Sequence, residues 1–496
     1  MNSENNPPAQ KSGSSTGLLG QRLAIMGFFL FAAFVPHSIA GAEIGLAVVG
    51  AGWLIRSIAT RNPGFHRSRL DLPIALFLAW TVASSLLSEE PQISIAKLQS
   101  VCVVFLFYLT QAIVTRRSAI LLACMMILSG AAGTIYSIYD LLRGRGIVVE
   151  TISNESPFQS SVIVGDAIWR VNGKRVYSTS SIDEAIKTAP SGTNLTFSVI
   201  SRGEHVERVG PVITDQLKQR DTHSGIAGGV PSHRFRASGW TRHYETFSEI
   251  LQMLAQLALG LALANLRNHG ANHRFKVAIV GCVLLALGIA FTAMRTVLVA
   301  FILGAFVIAI RAARGWTRIA VTAALMLVLA FGAFIVSQTR AEQALRLQDP
   351  SASLRLAVAR VGLSRIMLHP VFGHGMDAMH LHWKEWGFPG HDMLGMHSTP
   401  LQLAFDRGLP AVIFWLWIMV TFWLVTTQSE RFLRDSGDTN RHGLLLGATG
   451  AIAGFFLSSL VNYNFGDGEV ALVFWWLMGV VVVLAHDERI VETTSL

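Results

Sequence analysis

The sequence predicts a mainly α, polytopic membrane protein of about 12 transmembrane helices with one small α+β insert. Three observations lead there. The 496-residue chain is 51% hydrophobic and only 14% charged, against about 25% charged in a soluble domain. Its apolar residues collect in runs near the length of about 20 that a bilayer-spanning helix needs. The loops between those runs alternate in charge, as the positive-inside rule requires.

Residues 1–21 are rich in Asn, Pro, Ser and Gly and are expected to be a disordered cytoplasmic tail. They lack the basic start of a signal peptide. Transmembrane helices 1–5 are assigned to 22–142, with runs starting near Leu23, Ile39, Leu70, Leu98 and Ala119. Helices 6–9 fall within 215–338, starting near Phe247, Val277, Thr296 and Ile319. Helices 10–12 occupy 398–496, starting near Thr399, Gly443 and Val470. The pairs meeting around Ser38 and Met294 are each also readable as one bent helix.

The loops "RSIATRNPGFHRSR", "VTRR", "NLRNHGANHRFK", "RAARGWTR" and "QSERFLRD" are basic, whereas "SEEPQIS" and "NYNFGDGE" are acidic. Twelve spans with both termini cytoplasmic satisfy this alternation. Two long loops, about Leu142–Tyr244 and Gln338–Ser398, then lie outside. The net charge of +9 belongs to the cytoplasmic loops, and a nucleic-acid partner is not expected. Cys102, Cys124 and Cys282 all sit in apolar runs and make neither a disulfide framework nor a metal knuckle.

Residues 143–214 interrupt the hydropathy pattern with a soluble insert that alternates in strand fashion. It has a "VNGK" turn and a short helix around Ile182–Thr188. Ser156-Pro157, Gly165-Asp166, Ile168, Val171-Asn172-Gly173 and the "SIDEAI" helix resemble a bacterial PDZ domain. Such domains capture peptide ends by adding a strand to their sheet, so the resemblance implies a protein partner. A spacer or docking module is the alternative.

There is no Walker loop and no nucleotide-binding glycine fingerprint, which disfavours an ATP-driven pump. A transporter should show internal repeats or charges near mid-membrane. Few charges stand there, Glu43 being the clearest. The outer side instead gathers basic residues and histidines at helix ends. Arg234, Arg236, Arg242 and His243 precede the sixth span, and Arg295 stands at the turn between the seventh and eighth. Arg355, Arg360 and Arg365 lie on an amphipathic helix that ends at His369-Pro370, followed by Gly373-His374-Gly375 and then His397. A single arginine at such a depth can simply snorkel to a headgroup. Arg295 differs, with no basic neighbours on the side where positive charge is scarce. Its forked guanidinium matches phosphate oxygens two at a time.

His374, His380, His382, His391 and His397 fit no zinc signature. Two histidines at i and i+2 do not share a helix face, so no metal and no cofactor is expected. Trp383 and Trp386 in "HLHWKEWGF" are spaced for one helix face. They read either as a lid at the bilayer interface or as aromatics that hold a loop down.

Three motifs resemble the O-antigen ligase and O-antigen polymerase superfamily of membrane glycosyltransferases. The first is His397-Ser398, nine residues, then Gly408. The second runs from Arg355 to His369-Pro370 and Gly373-x-Gly375. The third is Thr292-Ala293-Met294-Arg295 at a helix start, with Met in place of the usual Ser. The "SGWTRHYETFSEIL" segment is also similar, with Glu245 in place of a Met. The likeness covers roughly Arg236 to the C-terminus and leaves out the PDZ-like insert.

The resemblance implies a GT-C-like enzyme of the bacterial inner membrane whose active site faces the periplasm. It would move a glycan from undecaprenyl diphosphate to a hydroxyl, with inversion and without a metal. Residues 339–397 would be its periplasmic catalytic loop. His397 is the implied general base, and Arg236, Arg295 and Arg355 the implied diphosphate ligands. His243, His374 and Trp383 are assigned to acceptor or loop contacts. A lipid A-core sugar is the first acceptor. A growing polysaccharide or a pilin Ser/Thr, as in protein O-oligosaccharyltransferases, remains open.

Overall fold

The computed structural model describes residues 15–486, apart from 202–203, 221–223, 234, 242, 317, 321–322, 324–349 and 391–394. The chain is mostly helical. Among the described residues, ten helices are long and apolar enough to cross a membrane. The protein is a multi-pass membrane protein. The ten are Ser15–Phe34, Ile39–Thr60, Pro91–Ile113, Arg116–Arg143, Tyr244–His269, His273–Phe291, Arg295–Ala312, Leu409–Leu433, Thr439–Ser459 and Gly468–Ala485. Asp71–Leu87 is apolar but shorter. The segment predicted to start at Ile319 lies largely outside the described residues.

Both pairs that are readable as one bent helix are separate helices. Ser38 caps the second of the first pair, its hydroxyl accepting from Gly41 N at 3.3 Å. Ala293, in the left-handed region at φ 55°, breaks the other. The first two helices then fold back on each other. A Cβ at Gly27 would meet the Val49 backbone nitrogen at 2.6 Å, so small residues set this close approach.

The segment from Thr399 departs from the single predicted span. Thr399–Arg407 is a short helix of its own, and the membrane helix starts only at Leu409. The cause is Gly408, at φ 80° and ψ 170°, a conformation open essentially to glycine alone. Pro410 then stands in the first turn of the new helix, where its missing N–H costs nothing.

The chain divides into two compact units. The first comprises 1–131, 245–290 and 294–496. Tyr244–His269 and Thr439–Ser459 lie at its centre, with 89% and 83% of their apolar windows buried, against 22% for His273–Phe291. At one end of this bundle Glu430, fully buried, is held by Arg311, Arg434 and His442, the last at 3.0 Å. A buried carboxylate needs such partners.

The second unit is Ala132–Tyr244 with Phe291–Ala293. It contains an antiparallel sheet in the order β1 (Ile147–Val148), β3 (Ala167–Val171), β5 (Asn194–Ser201), β6 (Glu204–Val212), with β4 (Lys174–Arg175) beside β3. Asn172 and Gly173, both at positive φ, make the β3–β4 turn, as an Asn-Gly pair favours. β2 (Thr151–Ile152) pairs separately with β7 (Ile226–Ala227). The helix Thr179–Thr188 buries Ile182 and Ile186 in a core with Phe158, Phe197 and Val199.

Candidate active site

His397 stands one residue ahead of the Ser398 N-cap of helix Thr399–Arg407, at φ 50°. This left-handed backbone is held from both sides. Met396 N–H donates to Gln402 Oε1 at 2.8 Å, and Thr399 N–H donates to the Asn462 carbonyl at 3.1 Å. The imidazole is partly buried, and its pKa is pushed down to about 4, first by burial and then by the Arg355 charge. The ring is therefore neutral with a free lone pair over the physiological range.

The C-terminal end of the same short helix explains the glycine motifs. All four of its last carbonyls find donors, as helix ends require. Ala404 accepts from Gly408 N at 3.0 Å, and Phe405 from His374 N at 2.7 Å. Asp406 accepts from Gly375 N at 3.1 Å, and Arg407 from Trp80 Nε1 at 2.9 Å. The Gly373–Gly375 turn is thus a backbone clamp on the His397 helix. A Cβ at Gly408 would lie 1.8 Å from the Val371 carbonyl oxygen. Gly408, the last residue of the motif, is thus a specific loop junction.

Asp406 is buried, and burial pushes its pKa up to about 7 against the opposing pull of Arg407. It accepts from Gln402 Nε2 at 2.9 Å. Gln402 therefore bridges Asp406 to the backbone beside His397. Arg407 turns away, towards Thr81 Oγ1 at 3.4 Å and the Phe77 ring at 5.4 Å.

Arg355 lies on helix Pro350–Ile366 and pairs with Glu245 at 3.7 Å. Glu249, one helical turn further along Tyr244–His269, is buried and accepts from Ser458, from Asn462 Nδ2 at 3.0 Å and from Asn464 Nδ2 at 3.3 Å. Asn462 also donates to Thr296 Oγ1 at 3.2 Å. Arg295, the residue before Thr296, opens its helix and is exposed, with no hydrogen bond or ion pair among the described residues. One polar chain thus runs from Arg295-Thr296 through Asn462 to Thr399-Ser398-His397.

His374 is fully buried, with Nδ1 on the Glu89 carboxylate and Nε2 on the Arg365 carbonyl at 2.9 Å. Glu89, His369 and His374 bring donor atoms within 4.8 Å of one another. A carbonyl only accepts, so Nε2 is a donor, and Nδ1 is taken by the carboxylate. Neither His374 nitrogen is open to a metal or a sugar; the residue ties the loop to Glu89. Trp383 and Trp386 are 3% and 6% exposed and stand in turns, packed with Val358, Ile366 and Phe405. They hold the loop down and are not presented as a lid.

Arg236 and His243 belong to the second unit. There the Arg236 guanidinium lies 4.5 Å from the Tyr244 ring centre, and His243 is exposed. His391, and Arg234 and Arg242, lie outside the described residues.

The sequence reading missed Glu89, Glu249, Asn462 and Asn464. The loops "SEEPQIS" and "NYNFGDGE" were informative beyond their sign of charge. A carboxylate inside an apolar run, as at Glu249, is itself a signal, since such a group is costly there without partners.

A bundle of apolar helices with one polar, histidine-bearing end defines an integral membrane protein with a site at a membrane face. Residues 280–416 match the family model of O-antigen ligase. The matched residues include Arg295, Arg355, His374, Trp383 and His397, but not Arg236 or His243. No curated protein matches the chain.

Proposed function

We propose that the protein transfers a glycan from undecaprenyl diphosphate to a lipid A-core sugar hydroxyl at the periplasmic face of the bacterial inner membrane. The observation that carries this reading is a neutral, half-buried His397 whose environment includes the Arg355 cation. A base must keep a free lone pair beside a group that holds anionic charge, and this pairing supplies both.

His397 accepts the proton of the acceptor hydroxyl as its oxygen attacks the anomeric carbon. The bond to the diphosphate oxygen breaks on the opposite face, giving inversion. Arg295, exposed and without a side-chain partner among the described residues, and Arg355 hold the departing diphosphate. Arg355 can exchange its 3.7 Å pairing with Glu245 for the stronger bidentate fit of a diphosphate. Arg236 is included as a further diphosphate ligand on the family resemblance alone. No metal is needed, since arginines supply the charge. The α+β insert, as a PDZ-like docking module, would take a protein partner.

The test uses purified protein with lipid-linked donor and the lipid A-core acceptor. His397→Ala should lose about 10²–10⁴ in transfer rate, the usual worth of a positioned base. Full transfer by this variant would remove the base assignment. Cells lacking the gene should accumulate donor and lose glycan from lipid A-core. Loss of long polymer or of a glycoprotein would assign the same chemistry to a different acceptor.

A further inference from the structure

The first unit carries a second polar site at the end of the bundle opposite His397. A cavity of about 440 Å³ opens among the first residues of Ser15–Phe34, the last turns of Ile39–Thr60 and the end of Phe105–Ile113. The segment Pro91–Ile113 begins beside Glu90, which bonds His374 through its backbone, and ends in this cavity. At about 1.5 Å or slightly more per residue, its 23 residues span a whole bilayer. The two sites therefore face opposite sides of the membrane.

The cavity is built around unused donors. Gln111 lines it and is 3% exposed, yet among the described residues neither its Nε2 nor its Oε1 has a hydrogen-bond partner. The buried Nη1 of Arg56, which also lines it, has none either. A buried amide without partners costs about 1–3 kcal/mol, and a guanidinium without an acceptor costs more. Gln21 beside them is satisfied, donating to the Ile113 carbonyl at 2.8 Å. Thr60, His66 and Thr115 complete the polar lining, and among the described residues no carboxylate takes part in it. Arg61, Arg67 and Arg69 in the adjoining loop, and Arg116 and Arg117 at the start of the next helix, add positive charge at the same end.

We infer that this cavity binds the phosphate group of an anionic phospholipid headgroup. Arg56 grips two phosphate oxygens with its fork, and the Gln111 amide N–H donates to a third. The level of the site, at helix ends beside the apolar Leu18 and Ile113, is where headgroups lie. The inference stands apart from the chemistry at His397, because it concerns the other membrane face.

The test is thermal unfolding of the full chain in detergent, titrated with phosphatidylglycerol, with phosphatidylcholine, or with inorganic phosphate alone. Ligand that binds the folded state raises the midpoint with the logarithm of its concentration. Phosphatidylglycerol should raise it and phosphatidylcholine should not. Arg56→Gln should weaken the apparent affinity about tenfold or more, and Arg56→Lys partly restore it. Gln111→Leu, which removes only the uncharged donor, should weaken it several-fold and serves if Arg56→Gln fails to fold. An equal Arg56-dependent rise with inorganic phosphate alone would keep the phosphate site but assign it to a soluble ligand. Equal responses to both lipids without any response to phosphate, or a shift that both Arg56→Gln and Gln111→Leu leave unchanged, would overturn the inference.

Discussion

The environment of His397 makes a quantitative prediction about pH. Its pKa in the ligand-free protein is pushed down to about 4, against about 6.5 for an ordinary imidazole. An ordinary imidazole would be about 9% neutral at pH 5.5, whereas one of pKa near 4 would be about 97% neutral. The kcat/KM, which reports the free enzyme, should therefore stay within a few per cent between pH 7.5 and 5.5, where an ordinary base would lose about tenfold. The donor changes this balance. A bound diphosphate offsets the Arg355 charge, the second cause of the depression, so the acid limb of kcat should lie above that of kcat/KM. Initial rates with purified protein over pH 5–8, at low and at saturating donor, separate the two limbs. His397→Ala, run in parallel, isolates the histidine limb. An acid limb in kcat/KM near 6.5 that vanishes in His397→Ala would refute the buried, cation-flanked environment as the state that reacts.

Arg295→Lys should lower transfer about tenfold or more although the charge remains, because an ammonium cannot make the fork-to-phosphate pair; an unchanged rate would remove Arg295 from the diphosphate site. Gly408→Ala should destabilise the fold by at least about 1–3 kcal/mol, the cost of a side chain in that backbone region, and more from the 1.8 Å approach to the Val371 carbonyl. A melting midpoint equal to that of the parent would contradict the junction described. Asp406→Asn should stabilise increasingly as pH rises. The folded carboxyl, with its pKa raised to about 7 from 3.8, costs stability that grows above the unfolded value and levels off above the folded one. The midpoint difference between variant and parent should widen from pH 4 to 7 and then flatten, and a difference that narrows would exclude a buried, reluctant carboxylate.

Much of the architecture was legible because bilayer insertion is decided by local hydropathy, segment by segment. The helices at Ile39, Val277, Thr296, Gly443 and Val470 start within a few residues of their predicted positions. Where the reading slipped, backbone geometry decided. Gly408 broke the run at Thr399 into two helices, and apolar content carries no record of a φ of 80°. Trp383 and Trp386 stand out in the sequence, but whether they face lipid or the protein core depends on what packs over them. Here that is Phe405 and helix Pro350–Ile366.

The sequence by itself determined the membrane class, the alternation of basic and acidic loops, and the motif residues His397, Arg295 and Arg355. These are properties of residue type and spacing, readable without a partner. The tertiary structure decided what each of them touches. It set His374 on Glu89 across 285 residues, Asn462 on Glu249 across 213, and a clamp of backbone N–H groups on the helix behind His397. Such contacts have no fixed offset along the chain. They arise only when loops from distant helix ends meet at one face of the bundle, and burial there favours polar groups that find partners.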